Sequence, residues 1–145
     1  MNDTVKIFAI ALASNSNPSF NFHHAFKQIE ALGSIIQSSC YLIPCRDGIG
    51  EDYWNAACLV NSSLSVDEIL NFLKQLESAS GRIRPSHQIT LDADLIAWGE
   101  NLDNMCFNPK KLPLALDVKI PMYDLWKNPI FKHHSHNFPI ISKSI

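Results

Sequence analysis

The chain has no cysteine pair at C-x-x-C spacing, no apolar run long enough to cross a bilayer and no cluster of lysines and arginines. Each absence excludes something. Its four cysteines, Cys40, Cys45, Cys58 and Cys106, lack metal-ligand spacing, and three of them fall in apolar segments where a reduced thiol packs as a small hydrophobe. Neither structural zinc nor a disulfide framework is expected, and the cysteine usage suits a reduced, cytoplasmic setting. The apolar stretch Val5–Leu12 falls well short of a membrane span and lacks the basic flank and cleavage site of a secretion signal. With 12 Lys and Arg against 14 Asp and Glu, the formal charge is -2, which gives no electrostatic footprint for DNA or RNA. Neither nucleic acid nor a membrane is an expected partner.

What the chain does have is apolar mass. At 145 residues and 46% hydrophobic it can bury one sizeable core but not two, so residues 1–145 are expected to form a single domain, a monomer or weak oligomer. Val5–Leu12 reads as a buried strand. A turn-prone stretch to Pro18 follows, and then Phe22, Phe26, Ile29 and Leu32 recur at near-helical spacing before Gly33. Ile35–Leu42 is rich in β-branched and aromatic residues and stops at Pro44. The loop Arg46-Asp47-Gly48-Ile49-Gly50-Glu51 then leads into a second strand, Tyr53–Val60, predicted to pair with it.

Ser65 and Glu68 form a capping box flanked by Leu64 and Ile69 as a hydrophobic staple, which starts a helix whose core face is Ile69, Leu70, Leu73 and Leu76. After Gly81 come the extended, basic Arg82-Ile83-Arg84-Pro85 and a strand from Thr90 to Trp98. The order βαββαβ predicts an α+β fold, the ferredoxin-like sandwich. Prolines 109, 113, 121, 129 and 139 break up the remainder, where only Pro121–Trp126 reads as a short helical turn, so an irregular C-terminal extension is expected.

Two residue pairs carry the chemistry. Asp92 and Asp94, two apart on a strand, project both carboxylates from one face, a donor set that suits magnesium because that ion takes oxygen ligands and fills its other positions with water and phosphate. An amphipathic strand with a wet acidic face has the same spacing. Arg82 and Arg84, on one side of an extended segment, offer planar forks for phosphate oxygens, although a basic helix exit reads the same way. Together an acid pair and an arginine pair suit phosphoryl transfer. Tyr53 and Asn55, also two apart, could line and read a flat heterocycle, or merely pack and satisfy backbone. His133, His134 and His136 have spacing compatible with a transition metal, but a polar, proline-flanked segment near a terminus is ordinarily exposed, so no metal is assigned there. His23 and His24 open the first helix as ordinary surface or half-buried histidines.

Taken in order, several pieces resemble the 6-hydroxymethyl-7,8-dihydropterin pyrophosphokinase family. They are Tyr41 with Pro44 before a glycine-bearing loop, Asp52-Tyr53-Trp54-Asn55-Ala56-Ala57, a helix ending at Glu77, Gly81-Arg82-Ile83-Arg84, and Thr90-Leu91-Asp92-Ala93-Asp94-Leu95. Ala11-Leu12-Ala13-Ser14-Asn15 is similar to the family's first strand and Gly-Ser-Asn turn, with Ala13 in place of the glycine. The resemblance implies transfer of pyrophosphate from ATP to the pterin's hydroxymethyl oxygen, releasing AMP, for folate biosynthesis. It implies that Asp92 and Asp94 hold two magnesium ions and that Arg82 and Arg84 contact phosphates. Glu77 and Leu95 would line the nucleotide site, and Pro44, Tyr53 and Asn55 would surround the pterin.

The chain also departs from the family. Where the family has a tryptophan and a Pro-Arg pair before its aspartates, the shorter Ser86-His87-Gln88-Ile89 stands here, and no histidine follows Pro109 or Pro113. Lys110 and Lys111 supply positive charge nearby, without arginine's fork. A diverged pterin- or nucleotide-binding homologue with weak or no catalysis is the alternative these departures favour.

Overall fold

The computed structural model describes residues 4–46, 48, 50–84 and 86–142, and of Ser142 the backbone alone. Asp47 and Ile49 of the expected loop, and Pro85 of the basic segment, lie outside the described residues. Three helices, α1 (Pro18–Glu30), α2 (Val66–Ala79) and α3 (Leu116–Leu125), pack on an antiparallel sheet. Its strands are β1 (Lys6–Ser14), β2 (Ile35–Gln37), β3 (Cys40–Ile43), β4 (Tyr53–Ser62), β5 (Asp92–Gly99), β6 (Met105–Phe107) and β7 (Ile140–Ser142). The sheet order is β6-β5-β1-β4-β3-β7, with β2 also on β4. This is an α+β fold.

Strand alternation splits β1 into two kinds of surface. Phe8, Ile10 and Leu12 point to one face and pack with Phe22, Phe26 and Ile29 of α1 and with Ile69, Leu73 and Leu76 of α2. Ala9 and Ala11 point to the other, where with Ala57 and Ala97 they leave room for Met122 of α3, for Trp126 just after it and for Phe131. Large residues face two helices and small ones admit a third. An extra residue in β5, Ile96, shifts its register against β1 between Ala9 and Ile10, a bulge close to the acidic end of the strand.

The α2 capping box forms with both reciprocal bonds, Glu68 N–H to Ser65 Oγ at 3.1 Å and Ser65 N–H to Glu68 Oε1 at 2.9 Å. Leu70, expected on the core face, is instead 37% exposed, and Phe72 packs against the core. The expected strand Ile35–Leu42 is broken, because Ser38 pairs with Ala57 through its hydroxyl as well as its backbone and the register slips by one residue between β2 and β3. The C-terminal third is not the irregular extension expected. Helix α3 begins at Leu116 and tolerates Pro121 within it, and β7 returns to pair with β3.

Gly33 follows α1, where a Cβ would overlap the carbonyl oxygen of Asn61, whose own N–H bonds Ser34 O at 2.9 Å. Backbone on both sides leaves nothing to rotate away. Gly33→Ala should therefore cost about 2 kcal/mol or more, read as a lower urea midpoint with unchanged denaturant slope.

Candidate active site

The register across four strands builds the site. Tyr41 opposes Asn55, Asn55 opposes Ala13, and Ala13 opposes Asp92, so these residues form one row across β3, β4, β1 and β5. In the next row Ala57 opposes Ala11, which opposes Asp94. Ala13 leaves Asp92 beside an open cleft, whereas Ala11 and Ala57 are covered in the cluster with α3.

Among the described residues no strand pairs with the outer edge of β5 along its acidic half, since β6 reaches only Ala97–Gly99. Side chains take the missing strand's place. Arg82 Nη1 donates to Leu91 O at 2.9 Å, Ala93 N–H donates to Glu77 Oε2 at 2.9 Å, and Asn108 Nδ2 donates to Leu95 O at 2.9 Å. Glu77 thus reaches from α2 around the sheet edge, and its other oxygen meets Arg84 Nη2 at 3.2 Å. Arg82 Nη1 also lies 3.5 Å from Asp92 and 3.8 Å from Glu77. Its buried Nε has no hydrogen-bond partner among the described residues.

Glu77, Asp92 and Asp94 can bring one oxygen each within 4.8 Å of one another. Burial raises the Asp92 carboxyl above its ordinary range, with Glu77 adding to the rise and Arg82 opposing it. Asp94 is raised by burial and by Asp92, against the pull of Lys111, whose Nζ sits 2.7 Å from Asp94 Oδ1. Three half-buried carboxylates whose repulsion the nearby cations offset only in part, all hard oxygen donors, fit a magnesium-type cation.

Two clefts meet at this cluster. One, of about 410 Å³, is lined by Leu70, Trp98 and Leu95 together with Glu77, Arg84 and Lys111, and it includes Asp92 and Asp94. The other, of about 240 Å³, is lined by Ala13, Cys45, Arg46, Tyr53, Asp92 and Asp117. Asp92 belongs to both. The second cleft is bounded by a two-pronged ion pair, Arg46 Nη2 to Asp117 Oδ1 at 2.6 Å and Nε to Oδ2 at 2.8 Å, which ties the segment after β3 to the first turn of α3.

The expected site residues are distributed as follows. Asp92, Asp94, Glu77 and Arg82 converge, Arg84 is an exposed arm on Glu77, and Leu95 is at once core and cleft wall. Tyr53 lines the second cleft, whereas Asn55 is buried in line with it and donates to Tyr53 O at 3.2 Å. Pro44 is exposed at the end of β3. Sequence reasoning did not find the Lys111–Asp94 pair, the Arg46–Asp117 bridge or the Asn108 mount. Of these only Asn108-Pro109 carried a local signal, an N-cap before a proline at the first helical position.

Asn15 holds the segment that leads into β5. Its Nδ2 donates to His87 O at 2.8 Å and its Oδ1 accepts from Ile89 N–H at 2.6 Å. His133 and His136 prove to be half-buried rather than exposed, their rings 5.5 Å apart and packed edge-on to Tyr123 and Tyr41. They brace the C-terminal segment. A family model for 7,8-dihydro-6-hydroxymethylpterin-pyrophosphokinase matches residues 9–133.

The raised carboxyls have a consequence for stability. Where a folded-state pKa lies above the unfolded one, the native state holds more protons, so stability falls as pH rises through the folded pKa. Without added metal, Asp92→Asn should therefore raise the melting midpoint at pH 7 by about 2–4 °C, the effect of about 1 kcal/mol in a chain of this size. Solvent screening keeps the gain small, because Asp92 is 38% exposed. The gain should vanish as pH falls to the ordinary carboxylate range near 4, which calorimetry in a pH series would check.

Proposed function

Because the chain belongs to the 7,8-dihydro-6-hydroxymethylpterin-pyrophosphokinase family, we propose that it transfers the β,γ-pyrophosphoryl group of ATP to the hydroxymethyl oxygen of 6-hydroxymethyl-7,8-dihydropterin, on a ferredoxin-like frame and in the cytoplasm. The observation that carries this reading is the position of Asp92, on the wall of a charged cleft and of a smaller one containing Tyr53. A residue shared by two clefts stands where a donor and an acceptor would meet.

The larger cleft suits the nucleotide. Leu70, Trp98 and Leu95 offer apolar surface to a base, and Arg84, Lys110 and Lys111 offer cations to phosphates. Tyr53 flanks the pterin, and Pro44 and Asn55 complete its surroundings. Asp92 and Asp94, with Glu77 beside them, would hold the magnesium ions, two in number. Bound there, magnesium neutralises phosphate charge and acidifies the attacking hydroxyl. The hydroxymethyl oxygen loses its proton to solvent and forms a bond to the β-phosphorus, the bond from that phosphorus to the α,β-bridging oxygen breaks, and AMP leaves. Arg82, buried against Asp92 and Glu77, offsets part of their charge and keeps both carboxylates aimed. Its tie to Leu91 O makes it chiefly a positioning residue in this state. Arg84, 63% exposed, is the arginine free to swing onto phosphate.

A second reading, a pterin or nucleotide binder with little catalysis, draws on one specific feature. Ser86–Thr90, between the arginine pair and the aspartates, contains no arginine to clamp the transferred group.

The test is AMP release from ATP and magnesium with and without the dihydropterin, beside calorimetric titration of the pterin with a non-hydrolysable ATP analogue. Pterin-dependent AMP is expected. Binding without AMP would establish the second reading instead, and neither signal would remove both. Asp92→Ala should lower AMP formation by at least a hundredfold and abolish magnesium-dependent nucleotide binding. Unchanged nucleotide affinity would overturn the metal assignment.

A further inference from the structure

Lys111 is held more firmly than a surface lysine needs to be. It closes a single 3₁₀ turn, Pro109–Lys111, which Asn108 caps by accepting from Lys110 N–H at 3.1 Å. The same asparagine is buried and is bound to β5 twice, its N–H donating to Ile96 O at 2.8 Å and its Nδ2 to Leu95 O at 2.9 Å. Lys111 is therefore mounted on the strand that carries its partner, with Nζ 2.7 Å from Asp94 Oδ1. Arg82 covers the Asp92 and Glu77 side of the cluster, and Lys111 covers the Asp94 side.

We propose that Lys111 is the resident counter-cation of this cluster, a positioning residue whose ammonium a divalent ion must displace from Asp94, and that it thereby makes metal entry depend on nucleotide entry. Arg82, Arg84 and Lys111 against three carboxylates leave no net charge. A divalent ion entering alone would leave two uncompensated positive charges and strand the displaced ammonium beside them, an unfavourable arrangement in a half-buried site. An ion arriving with a polyphosphate brings compensating negative charge. The freed ammonium, which lines the same cleft as Arg84 and Lys110, then has an anion to face. The inference rests on the metal reading of the cluster.

The experiment is a titration of the full chain with Mn²⁺ alone, followed by electron paramagnetic resonance, then repeated with a non-hydrolysable ATP analogue. Wild type, Lys111→Met and Lys111→Arg are compared. Without nucleotide, Lys111→Met should bind Mn²⁺ about tenfold more tightly than wild type, in keeping with the coupling of close charge pairs. Lys111→Arg should behave like wild type. With the analogue the advantage of Lys111→Met should disappear, because the lost cation no longer supports phosphate. A purely structural role predicts looser or unchanged Mn²⁺ binding in Lys111→Met. Equal affinity of wild type and Lys111→Met, each with a native melting profile, overturns the proposal while leaving the metal reading intact. No Mn²⁺ uptake by any of the three, with or without the analogue, overturns both.

Discussion

An unpaired sheet edge has to be covered, and along Leu91–Leu95 it is covered by side chains. A strand with free N–H and C=O groups either recruits another strand or is satisfied locally. Here Arg82, Glu77 and Asn108 satisfy it, each through one bond of 2.9 Å. These three groups come from the exit of α2, from α2 itself and from the turn after β6, so closing the edge also fixes how those elements meet β5. Two of the three are charged and lie within reach of Asp92. Covering the edge and assembling the charge cluster are therefore one structural event.

The cluster is electrostatically incomplete by construction. Burial and mutual repulsion raise the Asp92 and Asp94 carboxyls, and the available cations only partly offset this. A site with that imbalance favours a cation carrying more than one charge, or an added cation that arrives with its own anion. The alanines of β1 matter equally. Ala13 lies between Asn55 and Asp92, so no bulky side chain from β1 fills the smaller cleft beside Asp92. Farther along the same face Ala9 and Ala97 let α3 sit close, and Asp117 from its first turn then closes the smaller cleft with Arg46.

Much of this architecture was legible from local signals. The Ser65–Glu68 capping box, the strand ending at Gly99 and the strand that follows the glycine-bearing loop lie where composition and spacing put them, because each depends on near neighbours in sequence. The C-terminal third was not legible. Its helix contains a proline, and its short strands β6 and β7 exist only because edges of β5 and β3 are there to receive them. Leu70 carried the helical periodicity of the core face, yet it lies over a cleft that no sequence pattern announces.

The sequence by itself determined that Asp92 and Asp94 share a face, since strand alternation has a period of two and needs no partner. It determined the order of strands and helices as far as β5, and through order and spacing the family. Only the tertiary structure decided which groups surround that face. Glu77, Arg82 and Lys111 are 15, 10 and 19 residues from Asp92 in the chain. They meet there because long-range packing of α2 and the turn after β6 against one open edge brings them together, and no local propensity encodes such a meeting.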